Sequence, residues 1–578
     1  MKWSGKPSIR LETTTEKTSR LRSRTGLLLF SIFFIALFFR LYHAGGTFFG
    51  RDDAIVQLFA LDSVPADGFL QSFTRLEHAA LGNPLRLAAY PLSVVLPVLA
   101  FLTALVSRAF SIPLTELTWV VPISLLGAAT VFPAHRLLRR LCGDGAALTG
   151  TALLAVIPLH VLVSRSLAAA WVPAFFMEIV TLLALQRAVD GRKWGKGLLS
   201  ASLTIYLLCH NQFPSFAPVL FAAAVIFDAS EDRLARKCRK ALRLLTGPRV
   251  SLAPALALLA LLGMHIGFTY FYRPAYRSFG TGVGLVGHML HRGTQPGLYF
   301  RSAAAAALYA LGPALLALCV FALAAWLAGI GRDRKTLLFP LWSAAYLFPF
   351  FFFLSPQKTI VTGYMGDGLY PLVFLGAAVL ARFFRAGGVR KWAAAAFLAV
   401  VFAFSVLCST ATVFRLDWPA WIRMPQFHGS VEPDTGIKAA GTWFRSTTAE
   451  EASLFSVSID PKLARYYTHR RVYGVLDGTV DEARQCFSGV AENVDFLLLP
   501  AGLKKRFRID ELPEWKETAV VVDGSRKVLE IFSRSAGKKP TLILQRQNND
   551  TFDAAFANLP SLSRMPDYVP CKGVGAMK

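Results

Sequence analysis

The chain has 578 residues, of which 54% are hydrophobic and only 17% charged. Repeated apolar runs of roughly 17–25 residues exclude a soluble multidomain enzyme and indicate a polytopic membrane protein. The net charge of +26 does not argue for nucleic acid, because the basic residues cluster in short loops between the apolar runs, as the positive-inside rule requires.

Lys2, Lys6, Arg10, Lys17, Arg20, Arg22 and Arg24 precede the first apolar span, at residues 26–42, and place the N-terminus in the cytoplasm. The span is too far from the start, and too basic in front, for a cleaved leader; it reads as a signal anchor. The first outer loop, 43–84, carries Arg51-Asp52-Asp53. Ile55, Leu58 and Phe59 have helical spacing behind the acidic pair, so Asp53 opens an amphipathic helix on the bilayer. A cap for that helix is the plain reading of Asp53. It does not require a second carboxylate beside a membrane, where desolvation is costly.

Residues 85–107 are long enough to cross, yet Pro91 and Pro97 interrupt them. A crossing here would put Arg136, Arg139 and Arg140 outside, so the segment reads as re-entrant or interfacial. Further basic loops lie at Arg187/Arg192/Lys193/Lys196, at 233–243, at Arg332/Arg334/Lys335 and at Arg382/Arg385/Arg390/Lys391. Alternation between them predicts about eleven crossings: near 26–42, 117–138, 145–163, 167–186, 198–211, 213–228, 250–272, 303–330, 336–354, 367–384 and 392–413. The C-terminal part is then extracytoplasmic. Its apolar runs at 454–457, 496–499, 520–522 and 529–532, with an amphipathic stretch from Ile437 to Phe444, predict an α/β domain over 414–535 and a polar tail over 536–578.

The seven cysteines include no CxxC pair, which disfavours a cysteine metal site. Cys142, Cys209, Cys238, Cys319 and Cys408 lie in or near spans and read as small packing residues. Cys486 and Cys571 fall in the C-terminal part, where an oxidising compartment would permit a disulfide.

This topology gathers polar groups on the outer face. The first loop adds Asp62, Glu77, His78 and Arg86 to Asp52 and Asp53. Ser164-Arg165 ends a span there; Arg165 either snorkels to the interface or forks onto a phosphate. His210-Asn211-Gln212 joins two spans and reads most simply as a turn satisfying helix ends. Tyr272-Arg273 opens a loop with His288, His291 and Arg292; the His288/His291 spacing alone does not make a metal site. Lys358, Tyr364, Asp367 and Tyr370 lie on the last outer loop. Carboxylates with cations and aromatics suit a reaction with a phosphate leaving group, the carboxylate deprotonating the acceptor and Arg or Lys neutralising the phosphate. Nucleotide sugars are cytoplasmic, so an outward-facing sugar transfer needs a lipid-phosphate donor. A Mg²⁺ or Mn²⁺ at the acidic pair is chemically compatible, but Arg and Lys alone suffice for such a donor.

Gly50-Arg51-Asp52-Asp53-Ala54 after the first span, Arg139-Arg140 followed by 157–165 ending in Ser164-Arg165, Lys358 followed by Tyr370-Pro371, and Ala440-Gly441-Thr442-Trp443-Phe444-Arg445 in the C-terminal part together resemble the GT-C membrane glycosyltransferases. The likeness is to the protein O-mannosyltransferase-like branch that includes bacterial lipid A aminoarabinose transferases. It implies a transmembrane catalytic domain over 26–413 and a sugar moved from a polyprenyl-phosphate donor to a lipid, glycan or protein acceptor at the extracytoplasmic face of the plasma membrane. Asp52 would be the general base and Asp53 the second acid, with Arg165, Lys358, Arg273, His78 and Tyr370 on the substrates. The family's second acid is usually Glu, and its His-Pro-Pro motif is reduced here to Gly82-Asn83-Pro84-Leu85. The absence of a Trp-Trp-Asp motif argues against an N-glycosylation oligosaccharyltransferase. Two other classes fit less well: a lipid-linked sugar flippase, which needs charges along its spans where this chain has Glu178 and a few histidines, and a receptor-like subunit that binds through its soluble domain.

Overall fold

The computed structural model describes residues 12–42, 44, 95–112, 116–165, 171–209, 213–230, 233–267, 296–353, 362–413, 436–459, 461–475, 479–523, 526–534, 540–544 and 569–570. Helix α1 (Glu12–Leu41) contains the first apolar run, with Leu27, Leu28, Phe34 and Phe38 facing outward where lipid would lie. Phe30 and Phe33 pack on Phe132, at ring separations of 5.9 and 5.1 Å. Helix α2 (Val95–Ala109) has 15 residues. At about 1.5 Å per residue it is shorter than the roughly 30 Å hydrocarbon layer.

Helices α3 (Glu116–Ala129) and α4 (Val131–Cys142) form one long apolar run, Leu117–Cys142, where a span was expected. The division between them falls just before Pro133, which has no N–H for the helical ladder. The span expected at 145–163 is instead broken into α5 (Asp144–Ala155) and α6 (Pro158–Val163). Proline disfavours helical backbone in the residue before it, and Ile157 is extended with ψ 121°.

Helices α7 (Trp171–Val189), α8 (Gly195–Cys209) and α9 (Phe213–Phe227) follow. The basic stretch expected to be a loop is a helix, α10 (Leu234–Thr246), joined to α11 (Pro248–Gly267) through a sharp bend. Helix α12 (Pro296–Leu327) kinks at Gly312, whose φ of 73° a side chain would strain. Helices α13 (Leu338–Phe353), α14 (Thr362–Ala386) and α15 (Gly388–Val413) complete the bundle. Among the described residues five helices are long and apolar enough to cross a membrane, or six if the bent pair α10–α11 is one span, and four shorter apolar helices accompany them. The chain is a multi-pass membrane protein. Its largest core is lined by aromatics from α7, α13 and α14, with Phe374 ringed by Phe175 at 6.4 Å and Phe339 at 6.2 Å.

The C-terminal part is a seven-stranded mixed sheet ordered β6-β4-β5-β3-β1-β2-β7. All four predicted apolar runs are strands: β1 (Ser453–Ser456), β3 (Phe496–Pro500), β4 (Lys516–Asp523) and β5 (Arg526–Ser533). β2 (Arg471–Gly474) adds to one side. β6 (Thr541–Leu544) and β7 (Val569–Pro570) carry the sheet past residue 535, where the composition had suggested a tail. Alternate side chains fill two separate cores, as strand periodicity requires. Leu454, Val472, Leu498 and Ile531 meet α16 (Ile437–Thr447) and α17 (Pro461–Thr468) on one face. Phe455, Leu497, Leu499 and Phe532 meet α18 (Val480–Val490) and Trp515 on the other. Thr479 and Glu482 close a capping box at the start of α18. Cys486 on that helix is disulfide-bonded; Cys571, its expected partner, lies outside the described residues.

α16 and α17 touch where Gly441 lies against the Tyr467 carbonyl, which also accepts a hydrogen bond from Arg445 Nη1 at 2.5 Å. A Cβ on residue 441 would overlap that carbonyl, which is backbone and cannot swing away. Gly441→Ala is therefore expected to destabilise the sheet domain by about 1–3 kcal/mol, read as earlier proteolysis of the C-terminal part on heating.

A second expectation concerns pH. Glu530 is buried on β5 with Oε2 unpaired among the described residues. Burial pushes its carboxyl above the ordinary range; Glu517 adds to the rise, and Lys504 and Lys527 oppose it. The folded state therefore binds this proton more tightly than the unfolded chain does. Its stabilising contribution is full below the usual Glu value of about 4.3 and is lost as pH rises from there through the folded value. Glu530→Gln should raise the melting temperature at neutral pH and leave it nearly unchanged in acid.

Candidate active site

The break at Pro158 organises the site. Ending α5 at Ala155 leaves the carbonyls of Ala155 and Val156 without ladder partners, and buried carbonyls must be satisfied. Arg40, in the last turn of α1, donates from Nη1 to the Ala155 carbonyl at 3.2 Å, and Ser409 on α15 donates to Val156 at 2.8 Å. Arg40 is fully buried. Its Nη1 also reaches the Ala36 carbonyl at 2.7 Å, and its Nη2 lies 2.5 Å from His160 Nδ1. A guanidinium only donates, so Nδ1 accepts and the imidazole proton sits on Nε2.

α6 then presents Ser164 and Arg165 to the end of α1. Arg165 Nη1 donates to the carbonyls of Tyr42 at 2.6 Å, Phe39 at 3.0 Å and Arg40 at 3.4 Å. These are terminal acceptors of a helix, and a cation there also meets the negative end of its dipole. Arg165 is 4% exposed, which removes the snorkelling alternative. Ser124 on α3 donates to the Ser164 carbonyl at 2.8 Å and the Arg40 carbonyl at 3.3 Å. Gly127, one turn on, faces the Ser164 side chain so closely that a Cβ would displace it.

Tyr370 closes the knot from α14. Its ring meets His160 edge-on at 5.4 Å and Phe175 at 4.8 Å. Because α14 begins at Thr362, Asp367 and Tyr370 lie within the helix and are buried, rather than on the outer loop where they were expected. Among the described residues, neither carboxylate oxygen of Asp367 has a hydrogen-bond partner. Glu178 on α7, also buried, accepts a hydrogen bond from the Tyr346 hydroxyl, which is 2.9 Å from the Tyr206 hydroxyl. Ionisable groups inside a helical bundle are expensive and mark function by default.

Of the residues singled out from sequence, the structure brings Arg165 and Tyr370 to the same knot around Arg40 and His160. Asp52, Asp53, His78, Arg273 and Lys358 lie outside the described residues, as do His210-Asn211-Gln212, His288 and His291. Arg40 was missed, although a lone arginine in Phe38-Phe39-Arg40-Leu41 is itself a signal. The hydrogen bonds of Tyr346 and Tyr206 carried none, since tyrosines in apolar runs look like packing. Among the described residues no group of three or more His, Cys, Asp or Glu side chains is placed to hold a metal ion.

No protein-family model and no curated protein matches the chain. Solved structures do. ArnT from Cupriavidus metallidurans, bound to undecaprenyl phosphate, aligns with a TM-score of 0.50 at 12% identity, over 90% of this chain and 100% of that one. Its apo form aligns over the same shares with a TM-score of 0.47 and 13% identity. The chain has the GT-C fold. An oligosaccharyltransferase from Archaeoglobus fulgidus, in complex with zinc and sulfate, gives a TM-score of 0.49 at 12% identity, over 87% of this chain and 72% of that one.

Removing the Arg165 cap leaves buried carbonyls at the end of α1 without their donor. Arg165→Gln should lower stability in detergent by about 1.5–3 kcal/mol, measured by thermal unfolding. Arg165→Lys should recover only part of that loss, because an ammonium does not reproduce the planar fork.

Proposed function

We propose that the protein is an integral membrane glycosyltransferase that moves a sugar from a polyprenyl-phosphate donor to an acceptor on the extracytoplasmic face. The observation that carries this reading is the polar knot at the end of α1, built on a GT-C fold. It ties together two residues assigned to substrate from sequence, Arg165 and Tyr370, and it anchors the helix from which the Asp52–Asp53 loop departs. The undecaprenyl phosphate held by ArnT supports a polyprenyl carrier.

In this mechanism Asp52 takes the proton from an acceptor hydroxyl or amine as that atom bonds to the anomeric carbon. The bond from that carbon to the donor phosphate breaks, and the pair stays on the phosphate, which leaves as polyprenyl phosphate. Positive charge on the sugar rises and falls between the two, as in other glycosyl transfers. Lys358 neutralises the leaving phosphate, and Arg273 contacts the substrates. Arg165 joins Lys358 on the phosphate through its guanidinium fork while its Nη1 holds the end of α1. Asp53 is the second acid, and His78 and Tyr370 line the substrates. The N-terminus is cytoplasmic and the sheet domain extracytoplasmic.

A lipid-linked sugar flippase is the second reading, and one observation favours it: Arg40, Glu178 and Asp367 are ionisable groups buried within helices of the bundle. Donor turnover in membranes separates the two. With a panel of polyprenyl-phosphate sugars and a lysate of acceptors, release of free polyprenyl phosphate is expected from one donor. Asp52→Asn should lower it by about 10²–10⁴-fold at unchanged expression. Equal release from both proteins would remove Asp52 from the chemistry, and no release from any donor would leave the flippase.

A further inference from the structure

Helix α10 is built unlike any span. Its sequence, LARKCRKALRLLT, holds five cations and no acid. Arg236, Arg239, Lys240 and Arg243 recur at helical spacing and make one exposed cationic face. The opposite side is apolar: Ala241 is buried, and Leu244 and Leu245 pack on the main core. On the flank between the two, Leu242 is 55% exposed, and Leu234, in the first turn on the side of Ala241 and Leu245, is left 68% exposed. Lys237 is committed to the bundle, donating to the Asp228 carbonyl at 3.0 Å.

The placement of α10 fits the same description. It turns 55° away from the apolar helix Pro248–Ala260 that follows it, on which Leu252, Leu256 and Leu259 face outward. The end of the bundle where it lies is rich in cations, with Asp144, Asp190, Asp228 and Asp333 among them. Arg334 donates to the Val225 carbonyl just before α10, and Lys335 reaches the Arg140 carbonyl at 3.3 Å. Arg140 in turn donates to Gln186 at 2.8 Å. No ion pair involving Arg239 or Arg243 occurs among the described residues.

We propose that α10 is an interfacial helix that docks on anionic phospholipid headgroups. Leu234 and Leu242 enter the acyl boundary while Arg239 and Arg243 hold lipid phosphates. A bare apolar flank next to a cationic face is the pattern of a helix lying in a bilayer surface, and charge complementarity selects anionic lipid. The positive-inside rule needs cations near this end. It does not require them to share one face of a folded helix beside an uncovered apolar flank. The proposal is independent of the glycosyl-transfer reading.

The test uses the full-length protein in nanodiscs of phosphatidylcholine alone or of phosphatidylcholine with phosphatidylglycerol at about 3:1, the second giving a negatively charged surface. Hydrogen exchange of peptides covering 234–246 is the readout, with α7 peptides as the internal reference. Exchange in α10 is expected to be about tenfold slower with phosphatidylglycerol. The difference should vanish in Arg239→Gln/Arg243→Gln and shrink at about 0.5 M salt, where the Debye length is only about 4 Å. Equal exchange of the wild type in both lipids would overturn the proposal, as would slowing that persists in the double variant. If the double variant melts early in phosphatidylcholine discs, the salt series on the wild type decides: slowing insensitive to salt overturns it.

Discussion

The structure of the helical half depends on how the C-terminal end of α1 is held. A helix end leaves carbonyls unsatisfied, and inside a membrane no water makes good the loss. Here the solution is a second interruption nearby. The break before Pro158 points α6 back at α1, so that each broken end supplies the partner the other needs: Arg40 serves the Ala155 carbonyl, and Arg165 serves Phe39 and Tyr42. Neither arginine could be removed without stranding buried acceptors from the other element. The proline is as much part of the site as the cations are.

That reciprocity constrains what surrounds it. Gly127 must stay small because Ser164 and Arg40 lie where its Cβ would be, and Ser124 is held by two carbonyls at once. Tyr370 and Phe175 then seal His160 from the far side. A polar knot of this kind tolerates little movement, since each member is both buried and directional. The chain leaves α1 at Tyr42 from a fixed point, as the general base proposed at Asp52 would require.

The buried carboxylates deepen the same region. Glu178 and Asp367 lie in the α7 and α14 packing layer with Tyr346, Tyr206 and Tyr370 around them, so ionisable groups extend from the end of α1 into the bundle. Burying Asp367, whose oxygens find no partner among the described residues, is destabilising in isolation. The packing of α13 against α14 must offset that cost. The sheet domain follows ordinary soluble rules instead: alternating strands, two cores and a capped helix.

Legibility divided along physical lines. Composition and loop charge were enough for a polytopic protein with an α/β C-terminal part, because hydropathy and strand alternation are local properties of the chain. The four predicted strand runs are strands for that reason. β2, β6 and β7 were not foreseen, since short or edge strands are defined by partners distant in sequence. The charge of 234–246 points to a loop, whereas the helical spacing of its cations and leucines is what the fold follows. Arg165 was legible as a cation at the end of a span, yet its bonds to the end of α1 were not, because nothing in sequence says which carbonyls go unpaired. Whether Asp367 begins a helix or ends a loop, and whether Arg40 meets His160, depended on how broken helices pack. The chain by itself determined its solvent and its elements; only the tertiary structure decided which buried polar groups find one another, because in a low-dielectric interior each must be satisfied by whatever packing brings near.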